Sequence, residues 1–340
     1  MRRMGLVDRR RFIVGLAVAI AVVSVAFNLL SSGKFITEPA SLAITSLVGP
    51  LGIIALGVTV LMISGEFDLS VTATFVTAPV VMSLSMEALG FSPTLALLLG
   101  VFCTFLVGMA NGLVVVITGI PSFIVTLATL FVVQMFLRIA LPQFSVDWNT
   151  ESQLKNMFAG RSELVPFAKS FLWLIAIGIV LWIILNRSRV GNWVFATGSR
   201  GGRAAKAMGV PTWGTKVGCF ALCASLAGFA GCVQFADYGL VSLTSGTGIN
   251  LMAIAATVIG GTSLFGGRGT VIGTMLGATL LIMFNIGPIL SGIEGNWYLG
   301  LVGLLLLSAS IVNARSQSRT TRTKKVVFPI RLPWVSADSR

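Results

Sequence analysis

The chain has 340 residues, of which 55% are hydrophobic and 10% are charged, and its mean hydropathy is +0.94. Globular proteins average about 25% charged residues, so this composition excludes an ordinary soluble domain and predicts one all-α, polytopic membrane protein. The net charge of +13 does not indicate nucleic-acid binding, because the cations cluster beside apolar segments rather than along one soluble face.

Hydropathy and turn residues predict about ten transmembrane or re-entrant helices. The predicted segments are 12–30, 42–64, 70–86, 94–117, 121–141, 168–186, 214–235, 249–265, 270–286 and 297–312. They divide the chain into a basic N-terminus (1–11), a transmembrane domain (12–312) and a basic tail (313–340). The first apolar run is longer than a usual signal-peptide core and lacks a small-x-small cleavage site, so we expect it to be retained.

Positive charge is distributed unevenly between the two faces that ten crossings define. One face carries 19 of the 24 lysines and arginines, in the N-terminus, the loop 186–216, Arg268 and the tail. The acidic residues of the opposite face are Glu38, Glu87, Asp147, Glu151, Glu163, Asp237 and Glu294. The positive-inside rule therefore predicts a multi-pass membrane protein whose N- and C-termini are both cytoplasmic.

The sequence shows no set of residues that would form a catalytic, metal or nucleotide site. Its four cysteines fall inside apolar segments and it has no histidine, so neither a disulfide framework nor a metal site is indicated. It also lacks a GxxxxGK[ST] phosphate loop. We expect no enzyme activity, no metal and no cofactor in this chain; ATP, if it is used, must bind to another polypeptide.

A polar break at residues 63–71 separates two early apolar segments. It carries Glu66 and Asp68, and a charge at membrane depth costs roughly 2.5–3.5 kcal/mol unless it is paired or faces a cavity. We expect Ser70 to cap the following helix, with Asp68 at that helix's N-terminus. This structural role is favoured over substrate contact, and Arg268 is an available partner for Asp68.

Two polar stretches are long enough to contact other proteins. The external loop 142–167 is either a plain connector or a docking surface for a solute-binding protein. In the internal loop 186–216, residues 203–208 predict a short helix that Gly209 and Pro211 terminate. Such a helix either only helps to set the membrane topology, or it is displaced by a soluble motor protein that contacts it.

The late stretch Gly246–Ala278 contains two short apolar segments, Ile249–Leu264 and Thr270–Phe284, joined by a Gly-rich link that carries Arg268. Each is short for a full span of about 20 residues. Short, Gly-interrupted pairs are typical of broken or re-entrant helices. Glycine is also common at helix–helix contacts, and small-xxx-small patterns at Gly108/Gly112, Gly214/Gly218 and Gly273/Gly277 predict close packing.

The sequence AATVIGGTSLFGGRGTVIGT at residues 255–274 resembles the late signature of the ribose-type permeases. These are membrane subunits of ABC importers for sugars, polyols and the sugar-like autoinducer, in a superfamily shared with branched-chain amino-acid permeases. The matching glycines and arginine are Gly260, Gly261, Gly266, Gly267, Arg268 and Gly269. The early family motif is similar to Gly65, Asp68, Leu69, Ser70 and Val71. The resemblance covers about residues 42 to 312.

The resemblance implies a type II ABC importer fold with two permeases, either copies or paralogues, around a central path. It implies an ATP-binding subunit docked inside and a solute-binding protein docked outside. The loop 186–216 resembles the coupling segment to the ATPase, and the residues implied in coupling are Arg200, Arg203, Ala204, Ala205, Lys206, Met208 and Gly209. The chain departs from the family at Thr72, Asn250 and Ser199–Gly202, which puts individual contacts in doubt.

A neutral, hydroxyl-rich solute needs small polar groups along its path rather than fixed charges. The path-lining candidates are Thr72, Asn111, Asn250, Thr257 and Asn285. Any one of these is equally a structural residue, because most polar side chains in membrane helices bond to their own backbone or to neighbouring helices.

Three functions compete. An ATP-driven sugar importer fits the motifs best, and a branched-chain amino-acid permease is its nearest rival. A stand-alone ion-coupled transporter would need ionisable residues inside its spans, and here these are few: Arg138, Glu66 and Asp68. An intramembrane enzyme would need a nucleophile with a base, and no such pair is evident.

Overall fold

The structure is a computed structural model that describes residues 6–141, 143–148, 152–163, 165–198, 202–293, 300, 303, 304 and 307. Its helices are α1 Leu6–Leu30, α2 Glu38–Ile63, α3 Val71–Leu89, α4 Pro93–Thr118, α5 Ser122–Ala140, α6 Gln153–Phe158, α7 Lys169–Arg187, α8 Arg189–Thr197, α9 Gly202–Ala207, α10 Thr212–Tyr238, α11 Ile249–Ile259 and α12 Val271–Leu290. Two short strands, β1 Ser145–Asp147 and β2 Leu240–Ser242, pair antiparallel.

Eight helices in the described part of the chain are long and apolar enough to cross a membrane: α1, α2, α3, α4, α5, α7, α10 and α12. They match eight of the ten predicted segments, so the all-α, multi-pass fold is confirmed. The ninth match, α11, has 11 residues and is about 16 Å long, half of a bilayer core. The tenth predicted segment, 297–312, lies mostly outside the described residues, as do residues 1–5 and the tail 313–340.

The prediction for the second segment of the late pair was wrong in length. Helix α12 has 20 residues and continues to Leu290, which is enough for a full span. Helix α11 instead ends early, at Ile259. The break is therefore asymmetric, with a half-length helix followed by a complete one.

Helices α2, α3 and α10 form the centre of the bundle, and α1 and α5 lie at its edge. Most of the apolar stretch of α2 is buried, whereas little of the apolar stretch of α1 is buried. Large apolar side chains also face outward on α4, α5 and α7. An apolar outer surface is stable only in a hydrocarbon environment, which is consistent with a membrane-embedded chain.

Close backbone approach holds the centre together. A Cβ atom at Gly231 of α10 would lie 1.8 Å from the Phe75 carbonyl oxygen of α3, and one at Gly108 of α4 would lie 2.5 Å from that of Phe220. The predicted packing at Gly108/Gly112 and Gly273/Gly277 is confirmed by contacts with α10 and α11 respectively. The prediction for Gly214/Gly218 was wrong within the described part of the chain, where no atom lies within 4 Å of a Cβ built at either residue.

The loop 142–167 is structured where it is described. Its strand β1 pairs with β2, which follows α10, and the Gly160 amide donates to the Asp237 carboxylate at 2.9 Å. Trp148 is buried against Phe235, with ring centroids 5.4 Å apart. These contacts fix the loop across the end of α10.

The loop 186–216 forms two helices rather than the one predicted. Helix α9, Gly202–Ala207, corresponds to the predicted helix at 203–208, and Gly209 terminates it with a φ of +80°. Helix α8 was not predicted. Helix α10 begins at Thr212, so residues 212–216 belong to a span rather than to the loop.

Candidate functional site

Three sequence motifs that are far apart in the chain meet at one point, which we call the glycine junction: Ile63–Gly65, Gly198 and Gly266–Gly267. The Gly267 amide donates to the Ile63 carbonyl at 2.8 Å. A Cβ at Gly198 would lie 1.8 Å from the Ile63 carbonyl oxygen, and one at Gly266 would lie 2.4 Å from that of Gly198. The junction therefore joins the end of α2, the end of α8 and the Gly-rich link between α11 and α12.

The Gly-rich link is a compact turn. The Ser263 amide donates to the Arg268 carbonyl at 2.9 Å, and the Gly266 amide donates to the Ser263 carbonyl at 3.2 Å. Gly261, Gly266 and Gly267 all have positive φ values, which side-chain-bearing residues rarely adopt. Gly260 lies against the backbone of Gly273, so α11 and α12 pack as an antiparallel pair. Gly269 lies against the Ile63 side chain.

At the break between α2 and α3, Asp68 lies at the helix N-terminus as predicted, but the capping bond predicted for Ser70 is absent. Ser70 makes no capping bond through its side chain. The Asp68 carboxylate instead accepts from the Ser70 amide at 2.7 Å and from the Ser70 hydroxyl at 2.6 Å. Asp68 is 1% exposed, and its second oxygen has no hydrogen-bond partner among the described residues. The acid, rather than the serine, therefore satisfies the amide at the start of α3.

The break is anchored by α4 and α5. The Ser122 hydroxyl accepts from the Phe67 amide at 3.1 Å, and the Thr126 hydroxyl accepts from the Leu69 amide at 3.0 Å. The Asn111 side chain donates to the Ser70 hydroxyl at 3.0 Å and accepts from the Thr129 hydroxyl at 2.6 Å. These bonds satisfy the irregular backbone, which has no water to bind at membrane depth.

The ion pair at this site is not the one that was considered from the sequence. Glu66 pairs with Lys216 at the start of α10. Among the described residues, Asp68 and Arg268 form no ion pair with each other. Their separation follows from the hydrogen bonds of Asp68 with Ser70, which hold the carboxylate inside the bundle.

A second polar contact lies beneath the junction. Thr59, Thr257 and Thr274, on α2, α11 and α12, are fully buried, and the Thr59 and Thr274 hydroxyl oxygens are 2.6 Å apart. The Thr257 hydroxyl also lies within 3.1 Å of the Ala55 carbonyl oxygen. These threonines hold the half-length helix against its two full-length neighbours.

The path-lining candidates occupy different environments. Asn111 and Thr257 are buried and hydrogen-bonded, as described above. Asn250 is partly exposed and donates to the Leu69 carbonyl at 3.4 Å, while Asn285 is partly exposed on α12. Thr72 is 8% exposed, and its hydroxyl has no partner among the described residues. Their role along a path stays a prediction.

The start of α11 lies beside the start of α3. Besides the contact of Asn250 with Leu69, Gly246 lies so close to α3 that a Cβ would be 2.7 Å from the Thr72 carbonyl oxygen. Two helix N-termini thus meet inside the bundle, an arrangement typical of discontinuous helices in transporters.

Known proteins resemble the chain along most of its length. The family described as "Branched-chain amino acid transport system / permease component" matches residues 40–310. The chain belongs to this permease family.

Individual relatives agree with that assignment. The permease is 30% identical to the fructose import permease protein of Rhizobium meliloti over 85% of its own length and 81% of the relative. It is 29% identical to the ribose import permease protein of Escherichia coli K12, over 62% of its length and 66% of the relative. It is 31% identical to an autoinducer 2 import system permease protein of Photorhabdus laumondii, over 69% of each chain. No solved structure matches significantly.

These similarities confirm the predicted class: the chain is a multi-pass membrane permease of the ABC importer type. The relatives are transport permeases rather than enzymes, and their names describe components of import systems.

The proposed coupling residues of the permease are only partly described. In α9, Lys206 is exposed and Ala205 is 2% exposed, and Met208, just after the helix, is 77% exposed. Arg200 lies outside the described residues, as do the side chains of Arg203 and Ala204. The loop thus presents a cation and a large apolar side chain to its surroundings.

Sequence reasoning missed Ser122, Thr126, Thr129, Lys216 and Gly198 as parts of the site. Nothing in the sequence distinguishes the first three from other helix residues, because their hydrogen-bond partners lie on other helices or breaks. Gly198 lies in the loop 186–216, and the sequence does not show what it packs against. Its position next to Ile63 depends on the unpredicted helix α8.

Proposed function

We propose that this permease imports a neutral polar solute, a sugar or a polyol, across the bacterial inner membrane, with both termini cytoplasmic. ATP would be bound and hydrolysed by a separate ABC subunit docked on α8 and α9. A solute-binding protein would deliver the solute at the opposite face, and a second permease copy or paralogue would complete the path. This chain itself would hold no cofactor and catalyse no reaction.

The glycine junction carries the proposal. Gly198, at the end of α8, contacts the end of α2 and the Gly-rich link with no side chain between them. A displacement of α8 by a docked subunit would therefore move both helix breaks together, since tightly packed contacts transmit movement rather than absorb it.

The solute class rests on the polar groups near the breaks and on the relatives. The groups there are hydroxyls and amides. Of the two acids at the α2–α3 break, Glu66 forms an ion pair with Lys216, and Asp68 accepts a hydrogen bond from Ser70. Relatives named for fructose, ribose and autoinducer 2 support a sugar-like solute. The description of the family, which names branched-chain amino acid transport, favours a second candidate class of solute, branched-chain amino acids.

The test is uptake into proteoliposomes that contain the permease, its cognate ATP-binding subunit and its solute-binding protein. We expect uptake of labelled ribose or fructose that requires internal ATP, survives an ionophore and stops when the ATPase is omitted. Uptake by the permease alone, or uptake that an ionophore abolishes while ATP remains, would refute the importer mechanism. ATP-dependent uptake of leucine but of no sugar would refute only the solute class.

A further inference from the structure

An apolar groove opens between α2, α7, α8 and α10. Its volume is about 360 Å³, and its walls include Val60, Leu181, Trp193 and Leu222, one from each helix. The one hydroxyl in its lining, that of Thr215, donates to the Pro211 carbonyl at 2.8 Å. A lining that is almost wholly apolar favours a hydrocarbon occupant over a polar solute.

The floor of the groove is formed by two glycines of α10, one helical turn apart. No atom of a described residue lies within 4 Å of a Cβ built at Gly214 or Gly218, whereas Gly108 and Gly231 are in tight backbone contact. The small residues therefore leave the slot open instead of admitting a neighbouring helix of this chain. Trp193 and Val190 on the rim are 36% and 49% exposed, so the groove is open to the surroundings.

Two arginines flank the groove where α7 ends and α8 begins. Arg187 is the last residue of α7 and Arg189 the first of α8, and both are exposed. Their neighbours Leu185 and Val190 line the groove. Neither arginine forms an ion pair with a described residue, and the segment 187–216 contains no acidic residue. The rim thus has uncompensated positive charge beside an apolar slot.

We propose that the groove binds one acyl chain of an anionic glycerophospholipid whose phosphate contacts Arg187 and Arg189. Moving the acyl chain into the groove gives little hydrophobic gain, because the surrounding bilayer is already apolar. Close packing and charge must therefore supply the preference for this lipid. An arginine matches phosphate geometry with two parallel hydrogen bonds. The tryptophan on the rim is typical of the membrane–water boundary, where a headgroup lies.

The experiment is native mass spectrometry of the full-length permease, purified in mild detergent and exposed to an equal mixture of phosphatidylglycerol and phosphatidylcholine. We expect one phosphatidylglycerol per chain to be retained with a preference of about thirtyfold, on the scale of two basic residues at an anionic membrane. The double variant R187Q/R189Q should lose this preference. Gly218→Leu should fill the slot and reduce retention of both lipids.

Two matched controls separate the groove from general effects. Arg138→Gln removes an exposed arginine at the end of α5, and Gly15→Leu adds an unobstructed side chain on α1. Both should behave as the parent protein. Equal retention of the two lipids by the parent, or retention that Gly218→Leu leaves unchanged, would overturn the proposal. A dimer that Gly218→Leu converts to a monomer would overturn it too, because the occupant would then be a second copy.

Discussion

The amide of Gly267 donates a hydrogen bond to the carbonyl of Ile63, across a separation of 204 residues in the chain and 2.8 Å in space. Ile63 is the last residue of α2, and its carbonyl is one that the helix itself leaves without a partner. The Gly-rich link therefore completes the end of α2. Gly198 packs against the same carbonyl, so the internal loop is part of this contact as well.

The first prediction concerns the close approach of Gly198. A Cβ there would lie 1.8 Å from the Ile63 carbonyl oxygen, so Gly198→Ala must separate α8 from α2. We expect a loss of about 1–3 kcal/mol in stability, the usual range for overpacking, and a large loss of ATP-driven uptake. Thermal unfolding of the detergent-purified protein measures the first effect.

Gly214→Ala is the matched control, because its Cβ would meet no atom within 4 Å. Alanine also favours helix over glycine, so this variant should be as stable as the parent or more stable. Equal melting temperatures for the parent and Gly198→Ala would contradict the packing described here.

The second prediction concerns Asn111, which bonds both Ser70 and Thr129. Asn111→Ala removes the hydrogen bonds to both partners and leaves the Ser70 and Thr129 hydroxyls without Asn111 in a buried environment. Each unpaired polar group there costs about 1–3 kcal/mol. We expect a clear loss of stability on that scale. Asn156→Ala, at an exposed position of α6, is the control and should change little.

The outcome for transport distinguishes a structural Asn111 from a path-lining one. A structural role predicts lower stability with the same order of preference among solutes. A variant of full stability that transports a different solute would instead place Asn111 in the path.

How much of this could be predicted from the sequence depends on the range of the interactions. The long spans were predictable because length and hydropathy decide them locally. The half-length helix α11 was predictable from its glycines, but the full length of α12 was not, since Gly287 and Pro288 usually mark a helix end and here lie inside the helix. Helix α8 was missed because a nine-residue amphipathic helix in a basic loop has no strong local signal.

The site was less predictable than the fold. The glycines at Gly214 and Gly218 have the same spacing as those at Gly108 and Gly112, yet only the second pair is packed. The spacing permits a close approach, but the sequence does not show whether another helix packs against the glycines. Similarly, Asp68 and Ser70 were placed correctly at a helix start, but which of them accepts the hydrogen bond depends on the backbone angles of Ser70.

The third prediction concerns the pair formed by Glu66 and Lys216, whose side chains are 11% and 31% exposed. A double-mutant cycle with Glu66→Gln and Lys216→Gln should give a coupling energy of about 1 kcal/mol or more, since partial burial reduces screening by water. The pair of Glu38 and Arg161 is the control, because both side chains are more than half exposed.

The control pair should give a coupling of roughly 0–1 kcal/mol that disappears at high salt, as is usual for exposed ion pairs. The coupling of Glu66 with Lys216 should depend less on salt. Equal couplings for the two pairs would show that burial at the α2–α3 break adds nothing.

The last prediction concerns Met208, which is 77% exposed just after α9. If the ATP-binding subunit docks on this loop, a thiol reagent should label Met208→Cys in the permease alone and label it several-fold more slowly in the assembled complex. Met157→Cys is the matched control, because Met157 is 53% exposed on α6 at the opposite face. The native cysteines give a low background, since three of the four are buried. Protection at position 157 but not at position 208 would place the docking surface on the face opposite to α8 and α9. That result would contradict the proposed coupling through α8 and α9.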